Sequence, residues 1–224
     1  MRERILAKEP LIRVLVFAAL LVTNSSVVGQ NESQLTANVG VGVGGGYTPL
    51  VGGISKRLNN GWHIKGGVGY KFTSYFSISF QASYTGLGVS RAVLNEAQVP
   101  NGNAHVWSFT ADPKLGFKPY HGVGTYLIGA VGYYRRVVQF TRPTLLPVII
   151  FDPFFGVFQG FVPADKVLGT IARGGIGGGA GAGLEFGIGS RAGNTKLFTE
   201  ARYEYAATGA MPTRMVPVTF GIRW

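Results

Sequence analysis

The chain has 224 residues, a formal net charge of +11, 46% hydrophobic residues and 35 glycines, and it has no cysteine. Its apolar content is too high for a disordered chain, and its charged content of 14% lies well below the roughly 25% of an ordinary soluble domain. The lack of cysteine excludes a disulfide scaffold and a thiolate site, and this much glycine argues against a helical bundle.

The first 29 residues follow the order of a secretory signal peptide. Basic residues between Arg2 and Arg13 precede the apolar run 14–22, and small polar residues follow it. This run is too short to cross a bilayer as a helix. We therefore predict a cleaved signal peptide at 1–29, with a short buried core helix as the alternative, and a mature domain at 30–224.

Apolar residues alternate with polar or small residues along the mature chain, and this period of two predicts β-strands. Each segment has about ten residues, which is the length that a tilted strand needs to cross a bilayer. The register of the fifth segment stays open because both of its faces are apolar. The eight predicted strands are 34–43, 62–72, 76–85, 107–117, 123–138, 175–188, 196–205 and 215–224.

The connections alternate in length, which is typical of an outer-membrane barrel with short periplasmic turns. We therefore predict an all-β fold: an eight-stranded antiparallel up-and-down transmembrane β-barrel preceded by the cleavable signal peptide, with both termini periplasmic. The short connections lie near 73–74, at 118–122 and at 189–195, and the long ones at 48–61, 86–104, 139–173 and 206–214.

The apolar face is predicted to point outward, to lipid. The opposite face is small and mostly uncharged, which suits a narrow barrel interior better than a surface washed by water. Aromatic residues gather at two levels near the strand ends, as in the girdles of membrane barrels. One level has Tyr70, Phe72, Phe76, Phe117, Tyr120, Phe186 and Trp224, and the other has Trp62, Tyr84, Trp107, Tyr133, Tyr203 and Tyr205.

The signal peptide, the strand pattern and the terminal Val-Thr-Phe-Gly-Ile-Arg-Trp together resemble the bacterial outer-membrane β-barrel family, of the OmpA/OmpX/OmpW-like size class. The resemblance covers 35–224, and the terminal strand is its only specific motif. It implies an outer-membrane location and a C-terminal signal, Phe220, Ile222 and Trp224, that the barrel-assembly machinery reads. It also implies a structural or surface-interaction role without enzymatic activity. The alternatives are a channel for small solutes or hydrophobic molecules and, less favoured, a lipid-modifying barrel enzyme.

Charged residues on the inner face must pair with one another, because an unpaired buried charge costs several kcal/mol. An eight-stranded barrel is only wide enough for side chains to fill it. We interpret the set as a structural ion-pair plug, with a gated path for ions or a small polar solute as the alternative. Its members are Lys65, Asp112, Lys114, Glu185, Glu200, Arg202, Glu204 and Arg223.

The third long connection is unusually apolar for an exposed loop. Prolines at 143, 147, 153 and 163 argue against regular strands through it. We interpret it as a lid that packs on the barrel rim or dips into lipid, and a docking surface for an apolar ligand or partner protein is the alternative. Its aromatic residues are Phe151, Phe154, Phe155, Phe158 and Phe161.

Basic residues gather toward the long-loop side, and we predict that they contact anionic lipid of the outer leaflet. Nucleic acid is excluded as a partner because the chain is exported and these charges are scattered over loops. They are Lys56, Arg57, Arg91, Arg135, Arg136, Arg142, Lys166, Arg173 and Arg214.

Three patterns that could indicate cofactor, metal or enzyme chemistry are weak. The glycine tract 174–181 matches a phosphate-binding loop, but a strand follows it where such a loop needs a helix. His63, His105 and His121 fall at different levels, so a shared metal site is not expected. His105 and Ser108, three residues apart, lie on opposite strand faces. We predict no cofactor, no metal and no catalytic residues.

Overall fold

The computed structural model describes residues 38–117, 119, 122–188 and 195–224, and it leaves the side chains of 150, 152 and 158 undescribed. The predicted signal peptide and residues 34–37 of the first predicted strand lie outside the described residues. Tyr120, His121 and the side chain of Phe158 also lie outside them. The signal peptide and its cleavage site therefore stay predictions.

Antiparallel strands make up nearly all of the described chain. β7 pairs on one side with β6 and on the other with β8 and β9, and β9 pairs with β1. The strands are β1 Val39–Thr48, β2 Leu58–Lys71, β3 Phe76–Val89, β4 Asn101–Gly116, β5 Val123–Asp152, β6 Gly156–Gly187, β7 Lys196–Ala206, β8 Thr213–Met215 and β9 Val218–Arg223.

The sheet closes into a ring with eight strand positions, because β8 and β9 form one strand that is interrupted at Val216 and Pro217. Proline has no N–H to give to a ladder, so an interruption at that point is expected. Each strand pairs with its neighbour in sequence and the last pairs with the first. The predicted eight-stranded up-and-down barrel is confirmed.

Connections at the two ends of the barrel differ in length, as predicted. One end has the short connections at 72–75, 117–122 and 188–195. The other end has longer connections that hold a 3₁₀ helix, Gly52–Lys56, and an α-helix, α1 Arg91–Glu96. No helix in the described ranges is long and apolar enough to span a membrane.

The third long connection is a hairpin of paired strands with one register shift, between Phe140 and Thr141, so the prediction that prolines argue against strands through it was wrong. β5 and β6 stay paired up to the turn between Asp152 and Gly156. In an antiparallel ladder, alternate residues direct their N–H groups away from the partner strand. Three prolines occupy such positions, where the nitrogen points away from the partner strand, so they remove no hydrogen bond between the two strands. They pair as Pro143 with Asp165, Pro163 with Leu145, and Pro147 with Phe161.

The structure resolves the register of the fifth predicted strand. Tyr126, Ile128 and Tyr134 are buried inside the barrel, whereas Leu127 and Val131 are exposed on its outer wall. Both faces of this strand read as apolar because its inner residues include aromatic and aliphatic side chains. Apolar inner residues therefore occur in addition to the polar ones that the alternation predicts.

An apolar cluster fills the interior at the long-loop end, which the sequence analysis did not predict. Its strand residues continue the inward phase of the polar face: Leu87 and Val89 follow Thr85, and Val106 precedes Ser108. We call this cluster the apolar cap. Its buried members are Leu50, Ile54, Leu58, Leu87, Val89, Ala104, Val106, Tyr134, Ala206 and Met215.

Glycines on β6 lie directly opposite charged residues on β7. Gly183 pairs with Glu200, and Gly181 pairs with Arg202. A Cβ atom on Gly183 would clash with the Tyr126 ring and hydroxyl, and one on Gly181 would lie 2.8 Å from Arg202 Cγ. These glycines therefore leave the space that the larger inner side chains occupy.

We expect Gly183→Ala to lower the free energy of unfolding by about 1–3 kcal/mol, because the added methyl group overpacks the interior against Tyr126. Gly187→Ala is the matched control on the same strand, since a Cβ atom there meets nothing within 4 Å. Urea unfolding of the protein folded in lipid measures both variants. Equal stability of the two variants would contradict the packing role of Gly183.

Candidate functional site

The outer wall of the barrel exposes large apolar side chains around the ring. Phe80 is 69% exposed, Ile176 is 74% exposed and Phe220 is 64% exposed. Water-soluble monomers rarely expose apolar patches larger than a few hundred Å². Such a wall is suited to contact with hydrocarbon, as the alternation predicts.

Aromatic side chains gather at both ends of this wall. Toward the long loops, Tyr84 lies between Trp62 and Trp107, with ring centroids 5.6 and 4.9 Å apart. Toward the short turns, Phe72 lies 4.9 Å from Tyr70 and 5.7 Å from Phe76 by the same measure. The two groups bracket the apolar belt, and this arrangement fits the interfacial regions of a bilayer.

Four of the predicted inner charges form a buried network at mid-barrel, which we call the central cluster: Lys65, Asp112, Glu200 and Arg202. Arg202 donates to Glu200 at 2.7 Å and also to Asp112, and Lys65 donates to Glu200. Asp112 is fully buried and Glu200 is 2% exposed. Two cations and two carboxylates therefore balance one another away from solvent, as buried ions require.

Neutral side chains add hydrogen bonds to the central cluster, although one carboxylate oxygen of Asp112 has no hydrogen-bond partner among the described residues. The Tyr126 hydroxyl donates to Glu200 at 2.8 Å, and Arg202 donates to the Gln81 amide oxygen at 3.2 Å. The sequence analysis did not select either residue. The sequence pattern could have indicated Gln81, because it lies on the polar face of its strand. It could not have indicated Tyr126, because the register of that segment stayed open.

A second group of charges lies nearer the short turns, and we call it the lower cluster: Lys114, Glu185, Lys196 and Arg223. All three cations donate to the single carboxylate of Glu185, from Lys114 at 2.5 Å and from Lys196 at 3.1 Å. The structure therefore divides seven of the eight predicted charges between two clusters and adds Lys196 to them.

Aromatic rings separate the two clusters. Lys114 lies 4.9 Å from the centroid of the Tyr126 ring, and Arg223 lies 4.6 Å from the centroid of the Phe198 ring. Phe198 breaks the alternation of its strand because it points inward, where it is 5% exposed. Each ring is within the range at which a cation is attracted to an aromatic face.

Glu204, the eighth predicted charge, forms no ion pair with any described residue. It borders a cavity of about 20 Å³, which has room for about one water molecule. Beside it, His63 is hydrogen-bonded to Thr48 at 2.8 Å and to Thr219 at 2.9 Å. The cavity is lined by His63, Lys65, Ser83, Thr85, Glu204, Pro217 and Thr219.

His63, His105 and Ser108, the described residues among those considered for catalysis and metal binding, are not brought together. Ser108 is buried and hydrogen-bonded to Ser83 at 2.7 Å, whereas His105 stacks on Tyr84 of the outer girdle. Within the described ranges, no group of three or more histidine or acidic side chains could hold a metal ion. The glycine tract is part of β6 and is followed by further strand residues.

The hairpin formed by β5 and β6 leaves its apolar side chains exposed. Ile149 is 80% exposed, Phe151 is 73% exposed and Phe161 is 64% exposed. Phe154 and Phe155, at the turn, are also exposed. The hairpin is therefore not a lid packed on the barrel rim, and the rim-lid interpretation was wrong. The side chain of Phe158 lies outside the described residues.

The C-terminal strand presents Phe220, Ile222 and Trp224 on the outer wall, each at least 40% exposed. Thr219 faces the interior and is 1% exposed. The three residues therefore form the lipid-facing side of β9 and its end. Their predicted role as an assembly signal stays a prediction.

Comparison with known proteins identifies the fold. No protein-family model matches the chain, and no curated protein matches it in sequence. Its structure is similar to that of Neisserial surface protein A (NspA), with 16% identity, a TM-score of 0.50, and coverage of 83% of this chain and 95% of that chain. It is also similar to a major outer membrane protein from Thermus thermophilus, with 11% identity, a TM-score of 0.52, and coverage of 84% and 98%. The chain therefore has the barrel fold of outer-membrane proteins.

We expect Arg202→Met to lower the free energy of unfolding by about 3–5 kcal/mol, because it leaves the buried carboxylate of Asp112 without its cation. Lys196→Gln is the control in the lower cluster. Its side chain is 49% exposed, so we expect a loss of only about 0–1 kcal/mol. Urea unfolding in lipid measures both variants, and a smaller loss for Arg202→Met than for Lys196→Gln would contradict this account.

Proposed function

We propose that the protein is an integral outer-membrane barrel with a structural or surface-interaction role and no enzymatic activity. The observation that carries this proposal is the distribution of side chains. Apolar residues cover the outer wall, while charged residues are paired in the interior. This distribution suits a protein whose solvent is hydrocarbon. The fold that it shares with outer-membrane proteins supports the same location.

We place the long loops on the cell surface and the short turns in the periplasm, which is the usual arrangement in bacterial barrels. Export through the predicted signal peptide at 1–29 precedes insertion. The exposed side chains of Phe220, Ile222 and Trp224 are available to the barrel-assembly machinery, which we propose as the partner during biogenesis. Both termini are then periplasmic.

The interior supports a structural role for its charges in preference to a conducting one. The central and lower clusters fill the barrel with paired side chains, and the apolar cap covers them at the long-loop end. A small polar solute would have to displace the packed side chains of the cap and then break buried ion pairs, which is unfavourable. We therefore favour the ion-pair plug over a gated path.

Basic side chains at the long-loop rim are suited to the anionic lipid of the outer leaflet. Lys56, Arg57, Arg91 and Arg214 are exposed there. Arg214 lies 5.5 Å from the ring centroid of Tyr205, an outer-wall aromatic residue. Guanidinium groups bind phosphate through paired hydrogen bonds. We propose that these four residues contact lipid phosphates around the barrel.

Cysteine labelling tests the location and orientation, because the chain has no cysteine of its own. We expect Gln159→Cys, in the exposed hairpin, to react with a membrane-impermeant maleimide on intact Gram-negative cells. Ser74→Cys, in a short turn, is the matched control and should react only after the outer membrane is permeabilised. Labelling of Ser74→Cys on intact cells, or of neither site, would contradict the proposed arrangement.

Planar-bilayer recording separates the structural barrel from the channel. We expect no stepwise conductance from the purified protein, because the apolar cap and the ion-pair clusters fill the interior. An open porin recorded in the same bilayers is the positive control. Reproducible steps of constant size from this protein would establish the channel alternative instead.

A further inference from the structure

The hairpin beyond the barrel has two zones of different chemistry. We call the part 145–161, which is apolar apart from Asp152 and Gln159, the tip. We call the three exposed basic residues at its base the collar: Arg142, Lys166 and Arg173. Arg142 lies opposite Lys166. Arg173 lies opposite Arg136, whose guanidinium donates to Thr213 and to the carbonyl oxygens of Met211 and Thr208 and so is not part of the collar. The hairpin therefore carries an apolar end on a basic base.

The tip is apolar on both of its faces. Leu145, Ile149 and Phe151 alternate with Leu146 and Val148 along β5, so neighbouring side chains point to opposite faces. Partner residues on β6 extend both faces, with Phe161 on one and Val162 on the other. A hairpin that docks on a protein surface needs only one apolar face. Two apolar faces suit an environment that surrounds the tip.

The edges of the hairpin are poorly suited to pairing with another strand. Pro143, Pro147 and Pro163 all lie where the backbone directs its nitrogen toward the open edge. They remove donors from both edges, and proline on an edge strand opposes strand addition. This arrangement argues against edge-to-edge assembly with a second copy of the chain.

The positive charges of the collar favour an anionic environment around it. Like charges directly opposite each other in a ladder are destabilising, and Arg142 and Lys166 form such a pair. Arg142, Lys166 and Arg173 are exposed, and they form no ion pair with any described residue. Phosphate groups placed between these cations would relieve the repulsion. Basic residues near an anionic bilayer attract its surface in this way.

The length of the hairpin distinguishes the barrel's own membrane from another bilayer as the surface that the tip contacts. Arg135 pairs with Trp107 of the outer girdle, so it lies near the edge of the barrel's own membrane. The tip begins ten residues farther along β5, which is about 33 Å of extended strand. The headgroup region of one leaflet is only about 5–8 Å thick. The hairpin is therefore long enough for the tip to reach well beyond the lipid that holds the barrel.

We propose that the tip inserts into the headgroup–acyl boundary of a second, anionic lipid bilayer that faces the cell, while the collar binds the phosphates of that bilayer. Shallow insertion is required, because the open edges of a two-stranded ribbon keep polar backbone groups that cannot enter the hydrocarbon core. This inference rests on the proposed surface-interaction function and names the surface that the protein contacts.

Vesicle flotation tests the proposal with the whole barrel. The protein is held in nanodiscs of neutral phosphatidylcholine and mixed with free vesicles of phosphatidylcholine and phosphatidylglycerol. We expect the nanodiscs to float with the vesicles. The triple variant Ile149→Ser, Phe151→Ser, Phe161→Ser should lower the bound fraction by about tenfold or more, because it removes apolar contact. The matched control changes the same three residues to Leu and should keep binding.

The collar has its own test. We expect Arg142→Gln with Lys166→Gln to weaken binding to anionic vesicles by about tenfold or more. Residual binding to purely neutral vesicles should not change. Equal binding of anionic vesicles by this variant and by the unaltered protein would overturn the role of the collar.

A fluorescent reporter distinguishes the barrel's own membrane from the second one. An environment-sensitive dye on Phe151→Cys should shift to shorter wavelength only when anionic vesicles are added. A shift in nanodiscs alone would mean insertion into the barrel's own leaflet, and nanodiscs that pair without vesicles would mean contact between copies. Either result overturns the proposal, as does failure to bind vesicles. Surface labelling of Gln159→Cys would still support the proposed function in each case.

Discussion

Closure of the sheet is the constraint on which the rest of this structure depends. A backbone in hydrocarbon must satisfy its N–H and C=O groups internally, and a closed ring does so without leaving an edge. Once β9 pairs with β1, the alternation of every strand separates an outer face from an inner one. The apolar belt and the buried charges are both consequences of this single closure, which fixes which residues meet lipid and which must find partners inside.

Within the ring, side-chain size and charge are matched between neighbouring strands. The inner face of β6 supplies glycine where β7 supplies long charged residues, as at Gly181 and Arg202. Without that space Arg202 could not reach both Asp112 and Glu200. Inner-face glycines of β6 thus meet a packing requirement of the ionic interior.

The alternation of residue types was sufficient to predict the ring of strands, the outward apolar face and seven of the residues that form the ion pairs, although it missed Lys196 and included Glu204. It could not predict which charges meet, because Lys65 and Glu200 are brought together by the closure of the whole barrel. The apolar cap was missed because Leu87 and Val89, although apolar, occupy inward-facing positions of a strand whose inner face is otherwise polar. The hairpin was missed because Pro143 and Pro147 were read as strand breakers, and the pairing direction that makes them harmless is a property of two strands at once.

The apolar cap has a consequence for how the protein responds to ionic strength. It covers the barrel interior on the side of the long loops, and Arg202 and its partners lie buried beneath it. Dissolved salt weakens attraction between charges that water surrounds, and it acts much less on buried pairs. A change in the salt concentration around the cell would therefore alter the proposed binding of anionic lipid by the exposed collar, while the stability of the barrel would stay nearly constant.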